Sequence, residues 1–166
     1  MPLILYPHHV QQMQDAARAA YPEECCGLLL GVWMRADDRR IVHQVQPLAN
    51  VWEVEVEASL ASSQAGSELP LNRKSRYWVD PKDLLEAQRT ARDRGWVILG
   101  VYHSHPDHPA VPSECDRQLA WADYSYPILS VTADAIADIQ NWRLDDAQHF
   151  QPEAIEIQAE IKPISS

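Results

Sequence analysis

The residues best suited to chemistry lie in the stretch "VYHSHPDHPAVPSECD", residues 101–116, which contains three histidines, several acids and a cysteine. His103 and His105 are two residues apart at the end of an apolar run, so on a strand both side chains leave the same face. The prolines that follow force a loop, beyond which Asp116 lies in the first turn of the next predicted helix. Two imidazoles and one carboxylate match the ligand set of catalytic zinc sites, which keep a fourth position open for water. The pattern therefore indicates hydrolytic chemistry.

The same residues also have simpler interpretations. Ser113 and Asp116 form an S-x-x-D pattern, which by itself predicts only a helix N-cap and its reciprocal partner. An isolated H-x-H pair is more often incidental than metal-binding, and His108, in a proline-flanked loop, is expected to be exposed. Cys115 is adjacent to Asp116 and should point elsewhere. Zinc-dependent base deamination requires H-x-E and P-C-x-x-C, and the chain contains neither pattern.

Hydrophobic periodicity predicts helices interspersed with strands. Helices are predicted at residues 8–20, 81–94 and 113–124, and strands at residues 25–34, 41–48, 51–57, 96–105, 126–132, 137–144 and 154–161. Pro22 follows the first helix, and Gly95 is placed to cap the end of the second. We therefore expect one α/β domain over residues 1–166, with a mixed β-sheet flanked by helices and no internal repeat.

One segment interrupts this pattern. Residues 51–57 alternate valine with glutamate or tryptophan, as in a strand with one acidic face, and residues 58–75 are small, polar and broken by glycine and proline. Loops of such length are usually functional or disordered. We interpret about 52–75 as an insertion or mobile loop, a flap or docking wall for a substrate.

Composition limits the classes of partner and compartment. The formal net charge of −10 argues against nucleic acid as a partner, since phosphate binding requires lysine and arginine. No uninterrupted apolar run approaches the roughly 20 residues of a membrane span, so we expect no membrane partner. Three cysteines, two of them adjacent, and the lack of an N-terminal signal pattern predict a cytoplasmic protein with free thiols.

The spacing H-S-H, seven residues, Ser, two residues, Asp resembles the signature of the JAMM (MPN+) zinc metalloproteases. His103, Ser104, His105, Ser113 and Asp116 fit it without a gap. An upstream "ECCGLLLG", which begins at Glu24, is similar to the family's second motif, E-x-x-G-L followed by two apolar residues and glycine. The similarity extends over about residues 3–160 and is weakest between residues 51 and 75.

The resemblance implies a cytidine-deaminase-like fold with one zinc ion bound by His103, His105 and Asp116. It also implies that Glu24 is the general base, which takes a proton from the metal-bound water and later delivers it to the leaving amine. Ser113 would donate a hydrogen bond to the developing oxyanion.

Three residues next to Glu24 in the chain have other interpretations. Glu23 competes for the role of base, but only Glu24 has the E-x-x-G spacing, and on a strand the two would face opposite sides. The adjacent Cys25 and Cys26 are expected to be small packing residues.

Compact bacterial members of this family act on ubiquitin-like sulfur-carrier proteins, from which they remove residues or a cysteine adduct after a C-terminal Gly-Gly. The resemblance therefore implies a peptidase or isopeptidase whose partner is such a carrier. The alternative is a non-catalytic scaffold or interaction module, as metal-free relatives of this fold are. Those relatives have lost ligands, whereas every motif residue is present in this chain.

Overall fold

The structure is a computed structural model, and it describes residues 2–52 and 76–159. These residues form three helices and eight strands. The helices are α1 (Pro7–Ala20), α2 (Pro81–Asp93) and α3 (Glu114–Leu119). The strands are β1 (Leu3–Leu5), β2 (Cys26–Met34), β3 (Arg39–Leu48), β4 (Val97–Pro106), β5 (Tyr126–Val131), β6 (Ile136–Leu144), β7 (Phe150–Glu153) and β8 (Ile155–Ile157).

One mixed sheet holds these strands in the order β7-β6-β5-β4-β2-β3-β1-β8. The central β2 pairs antiparallel with β3 and β4, and β4 pairs parallel with β5. One face packs on α1 through buried side chains that include Met13, Leu29 and Tyr102. The other face packs on α2 through Leu28 and Ala87, among others. The expected mixed sheet with flanking helices is confirmed.

The ends of the two long helices follow the sequence signals. Helix α2 begins after Asp80, whose side chain accepts a hydrogen bond from the Lys82 N–H, and Pro81 occupies the first turn. Gly95 follows its C-cap with a φ of 71°, a conformation that glycine adopts without strain. Helix α1 begins at Pro7, one residue before the expected start.

Helix α3 is shorter than the predicted 113–124. It ends at Leu119 because Ala120 adopts an extended conformation, with φ −78° and ψ 147°. The next amide, that of Trp121, donates to the Tyr126 hydroxyl at 2.6 Å instead of to a helix carbonyl. The chain after Leu119 therefore leaves the helix and lines a groove described below.

The strand predictions were wrong at the edges of the sheet. Strands β1 and β7 were not predicted, since three or four residues are too few for a periodic pattern. Of the predicted 154–161, residues 154–159 are described, and within them strand β8 covers Ile155–Ile157. The predicted strand at 51–57 and the loop at 58–75 lie almost entirely outside the described residues. Across the described ranges, no helix combines the length and the apolar character needed to cross a membrane.

Candidate metal centre

The end of β4 places two histidines on one face of the sheet. His103 and His105 are buried, 1% and 8% exposed. They lie opposite Ile128 and Ser130 of β5, and His103 also pairs with Cys26 of β2. Ser104 points to the other face, where its hydroxyl accepts a hydrogen bond from the Cys25 N–H at 2.8 Å. Strand alternation thus directs both imidazoles into one space, as predicted.

The N-terminus of α3 brings the carboxylate of Asp116 to the same space. Ser113 is the N-cap residue, and its hydroxyl accepts from the Asp116 N–H at 3.1 Å. In return the Ser113 N–H donates to Asp116 Oδ2 at 2.8 Å. The S-x-x-D pattern is therefore a genuine capping box, and its hydrogen bonds orient the carboxylate toward the histidines. The Asp116 carboxylate can therefore accept the capping hydrogen bond and still offer a lone pair to a metal ion.

Three atoms of these side chains form a nearly equilateral triangle. The distance from His103 Nε2 to His105 Nε2 is 3.1 Å, and Asp116 Oδ2 lies 3.3 Å and 3.2 Å from them respectively. Ligands about 2.0–2.1 Å from a tetrahedral zinc ion are roughly 3.3–3.4 Å from one another. His103, His105 and Asp116 therefore could hold a metal ion. Their donor set, two imidazoles and one carboxylate, suits zinc and leaves a fourth position open.

Hydrogen bonds prepare His105 to offer Nε2 as a ligand atom. The other ring nitrogen, Nδ1, lies 2.9 Å from the carbonyl oxygen of Pro109. Because a carbonyl only accepts, the proton of a neutral ring is on Nδ1 and the lone pair is on Nε2. The loop that supplies this carbonyl is itself fixed, since the Ser130 hydroxyl donates to the His108 carbonyl and Trp142 Nε1–H to that of Ala110.

The charges of the three ligand side chains depend on one another. Burial opposes ionisation of Asp116, but the adjacent His103 and His105 outweigh burial and hold the pKa of Asp116 well below its usual range. Burial lowers the pKa of His103. Burial also acts against the protonated form of His105, but the hydrogen bond and charge of Asp116 raise its pKa overall. The result is an Asp116 carboxylate anion beside the neutral imidazole of His103. In this protonation state both groups can bind a cation.

Glu24 lies on the face of the sheet that the histidines occupy. It lies two residues before Cys26, the first residue of β2, and Cys26 pairs with His103. Strand alternation, continued back to Glu24, therefore directs the side chains of Glu24 and His103 to the same side. Glu24 is only 5% exposed, and its Oε2 has no hydrogen-bond partner within residues 2–52 and 76–159. Burial, and secondarily the charge of Asp116, raises the pKa of Glu24 well above its usual value, while Arg76 acts in the opposite direction. A carboxyl group with a raised pKa can both accept and return a proton near neutral pH.

Five residues that were not predicted to take part are not members of the metal-binding group. Glu23 and His108 are exposed. Cys25, Cys26 and Cys115 are buried free thiols. Burial is the main cause that raises the pKa of Cys25 to about 11 and that of Cys26 to about 12, so neither is a ready nucleophile. The four other histidines, His8, His9, His43 and His149, do not belong to the metal-binding group.

An apolar groove of about 340 Å³ adjoins the metal ligands. Tyr77 connects the two features, because its ring stacks on His103 with centroids 4.6 Å apart and also lines the groove. Aromatic and aliphatic side chains from the start of α2, the end of α3 and the neighbouring strands line the rest, among them Leu28, Trp78, Leu84, Val101, Trp121, Tyr124 and Tyr126.

Comparison with known proteins identifies the class to which this fold and site belong. The family model described as "Prokaryotic homologs of the JAB domain" matches residues 7–145, and the chain belongs to this family. A solved structure from Desulfitobacterium hafniense is similar with a TM-score of 0.75 and 29% identity, over 96% of this chain and 95% of that one. A JAB1/MPN domain protein from Archaeoglobus fulgidus, at 15% identity and a TM-score of 0.50, covers 93% of this chain and 98% of its own and shares the fold.

Two curated relatives carry names that describe an activity. The desampylase of Haloferax volcanii is 30% identical over 118 residues, which are 70% of this chain and 69% of the relative. The probable TtuB-protein conjugate cleaving protease of Thermus thermophilus is 34% identical over 101 residues, or 60% of this chain. That second match spans about half, 51%, of the length of the relative.

Two residues near the centre were not found from the sequence. Tyr77 stacks on His103, and Asn50 forms hydrogen bonds to the backbone of Glu24 and to the segment around Tyr77. Neither residue belongs to a recognisable spacing pattern. Asn50 follows the end of β3, where an asparagine ordinarily indicates only a turn.

Proposed function

We propose that this protein is a zinc-dependent peptidase or isopeptidase that cleaves after the C-terminal Gly-Gly of a ubiquitin-like or sulfur-carrier protein. The observation that carries the proposal is the convergence of His103 Nε2, His105 Nε2 and Asp116 Oδ2 within 3.3 Å of one another, on the same face of the sheet as the buried Glu24. The names of the two relatives, a desampylase and a TtuB-protein conjugate cleaving protease, support conjugates of such proteins as substrates.

In this proposal His103, His105 and Asp116 hold the zinc ion. A zinc ion in this ligand set would lower the pKa of a bound water to about 7 and polarise a carbonyl group. The raised pKa of Glu24 suits it to take a proton from the attacking water and to deliver it to the leaving nitrogen.

Ser113 contributes through its hydroxyl proton. Within the described part of the chain, its oxygen accepts one hydrogen bond, from the Asp116 N–H, and makes no other. A hydroxyl group can donate while it accepts, so the proton remains for the oxygen of the scissile carbonyl. The proposed role of Ser113 is to stabilise the negative charge that develops there.

The groove beside His103 suits an extended apolar segment that leads to the scissile bond. A Gly-Gly sequence would allow the backbone of such a segment to approach the buried ligands closely, since glycine has no Cβ to collide with them. The docking wall that we expect at about residues 52–75 lies, apart from Trp52, outside the described residues and remains a prediction.

The test is mass spectrometry of a Gly-Gly carrier protein with a C-terminal extension, and of the same carrier joined to a lysine, after incubation with the protein. We expect cleavage directly after Gly-Gly, its loss with a chelator, and its return with zinc. His105→Ala should abolish zinc binding and cleavage together, whereas His108→Ala, a matched change at an exposed histidine, should preserve both. A protein that stays metal-free on addition of zinc and cleaves neither substrate would be a scaffold instead.

A further inference from the structure

We propose that Asn50 is a positioning residue that sets the place of Glu24 relative to the metal ligand His103. The inference rests on the proposed function, in which Glu24 is the general base. The Asn50 side chain makes four hydrogen bonds, one to the backbone of Glu24, two to the backbone on either side of Tyr77 and one to the nearby Trp52 amide.

The carboxamide of Asn50 uses its full hydrogen-bonding capacity. Its Nδ2 donates to the carbonyl of Glu24 at 3.0 Å and to the carbonyl of Arg76 at 2.9 Å. Its Oδ1 accepts from the amides of Trp52 and Trp78, both at 3.1 Å. An amide group has two donor hydrogens and two acceptor lone pairs, so this set is complete. Because all of its donors and acceptors form hydrogen bonds, the Asn50 carboxamide has a single orientation, and it holds the backbone groups that it contacts in place.

Two of these bonds hold Tyr77. The carbonyl of Arg76 and the amide of Trp78 are on the two sides of Tyr77 in the chain, and both bind Asn50. The Tyr77 ring, fixed in this way, stacks on the ring of His103 with an interplanar angle of 27°. Among the described residues His103 Nδ1 has no hydrogen-bond partner, so ring packing replaces the polar contact that usually orients a histidine ligand.

Another bond holds Glu24. The peptide group between Glu24 and Cys25 has its carbonyl bound by Asn50, and its N–H donates to the Ser104 hydroxyl at 2.8 Å. Ser104 lies between the two histidine ligands in sequence. One peptide group is therefore held from both sides, by Asn50 and by the strand that carries the metal ligands. The Glu24 carboxyl, without a hydrogen-bond partner for Oε2 in the described ranges, depends on its backbone for its position.

The inference makes different predictions for the backbone and for catalysis. In Asn50→Ala, hydrogen exchange of the Cys25 amide, which Asn50 does not contact, should accelerate about fivefold, because loss of a hydrogen bond costs about 1 kcal/mol and loosens the peptide group beyond it. With a cleavable carrier, kcat should fall about 10–100-fold, since the change displaces the reacting groups, and KM should rise as well, because Tyr77 and Trp78 also line the groove.

Two further variants separate positioning from general destabilisation. Asn50→Asp keeps the acceptors for Trp52 and Trp78 but loses both donors, so the Trp78 amide should stay protected while Cys25 exchange and kcat change as in Asn50→Ala. This variant retains half of the network and so provides the test if Asn50→Ala does not fold. Asn141→Ala is the matched control, because Asn141 is a buried amide that donates to Glu153 at 3.0 Å, and kcat should be preserved in it.

Several results would overturn the inference. Unchanged exchange at Cys25 in both Asn50 variants would show that Asn50 does not hold Glu24, and an unchanged kcat, or an equal loss in Asn141→Ala, would remove its role in the reaction. If the wild-type protein cleaves nothing, the proposed function fails and the catalytic role of Asn50 fails with it. The exchange of Cys25 then still decides whether Asn50 fixes the Glu24–Cys25 peptide group.

Discussion

The two ends of the central strands both bury polar side chains, but in different combinations. At the end opposite the metal ligands, Arg40, Ser125 and Asn141 are at most 2% exposed. Arg40 Nη1 donates to Ser125 Oγ at 2.8 Å, and both Ser125 and Asn141 donate to Glu153 Oε1. Each of these contacts joins a donor to an acceptor, and the charges of Arg40 and Glu153 are opposite; among the described residues, Arg40 Nε and Nη2 and Asn141 Oδ1 have no hydrogen-bond partner.

At the metal end, atoms that carry lone pairs converge instead. His103, His105 and Asp116 direct two imidazole nitrogens and a carboxylate oxygen at one point, and Glu24 adds a second carboxyl group nearby. Buried polar groups are ordinarily paired, so burial alone does not indicate function. The candidate metal centre differs from the Arg40 cluster in its excess of acceptors, which an added cation could balance.

The largest effect that sharpens this comparison is expected from Glu24→Gln. This substitution keeps the shape of the side chain and removes the proton acceptor, so kcat should fall by about 10²–10⁴-fold. Zinc content should be unchanged, because Glu24 is not a proposed ligand. Steady-state cleavage of the carrier substrate measures the loss, and Glu23→Gln, at the exposed neighbour, is the matched control. Full activity in Glu24→Gln would remove Glu24 from the role of base.

Arg40→Met, at the other end of the sheet, is expected to lower stability and to leave catalysis unchanged. Removal of the guanidinium deletes its hydrogen bond to Ser125 Oγ and its contact with the Trp33 ring, 4.4 Å away, while Glu153 keeps its ion pair with Arg143 at 3.6 Å. The free energy of unfolding should decrease by about 1–3 kcal/mol, with kcat unchanged below the melting temperature. Urea denaturation gives the first quantity and cleavage kinetics the second. A lower kcat in folded protein would contradict the separation of the two ends.

Ser113→Ala is expected to have an intermediate effect on both kcat and the free energy of unfolding. Loss of an oxyanion donor should lower kcat by about 10²–10³-fold, and loss of the N-cap should cost about 1 kcal/mol of stability. Ser113→Asp keeps a capping oxygen without the hydroxyl, so it should recover stability but not kcat. Ser113→Thr keeps both groups and should recover both. If Ser113→Asp restores kcat as well, Ser113 acts only as a cap.

The smallest effect is a pH dependence of stability in the metal-free protein. Because burial raises the pKa of Glu24 in the folded state, Glu24 contributes stability below its ordinary pKa, and this contribution is lost as pH rises through the raised value. The wild type should therefore lose stability relative to Glu24→Gln as pH increases. Urea titrations of the chelated proteins at several pH values measure the difference, with Glu23→Gln as the charge control. A gap that is constant with pH would contradict the burial of an ionisable Glu24.

The convergence of the three candidate ligands was predictable because local rules place them. His103 and His105 follow strand alternation, and Asp116 follows from helix capping three residues after Ser113. The buried Glu24 was separated from the exposed Glu23 by the same alternation and by its spacing to Gly27. These rules act over a few residues, and a sequence displays them directly.

Asn50, Tyr77 and the end of α3 were not predictable in the same way. The four partners of Asn50 come from three separate parts of the chain, which only the assembled sheet brings together. Helix α3 ends at Leu119 because the Trp121 amide binds the hydroxyl of Tyr126 on β5. The contacts of Asn50 and Tyr77 join residues that are distant in sequence. The end of α3 depends on competition between a helical hydrogen bond and the hydrogen bond to Tyr126.

The capping box at the start of α3 has a consequence for how such domains diverge. Asp116 Oδ2 accepts a hydrogen bond from the Ser113 N–H whether or not the carboxylate also holds a cation. In a descendant that loses both histidines, selection for the helix would still favour an acidic residue at this position. We therefore expect the aspartate to be retained after the proposed activity is lost. The presence of both histidines is the better indication that a member of this family binds metal.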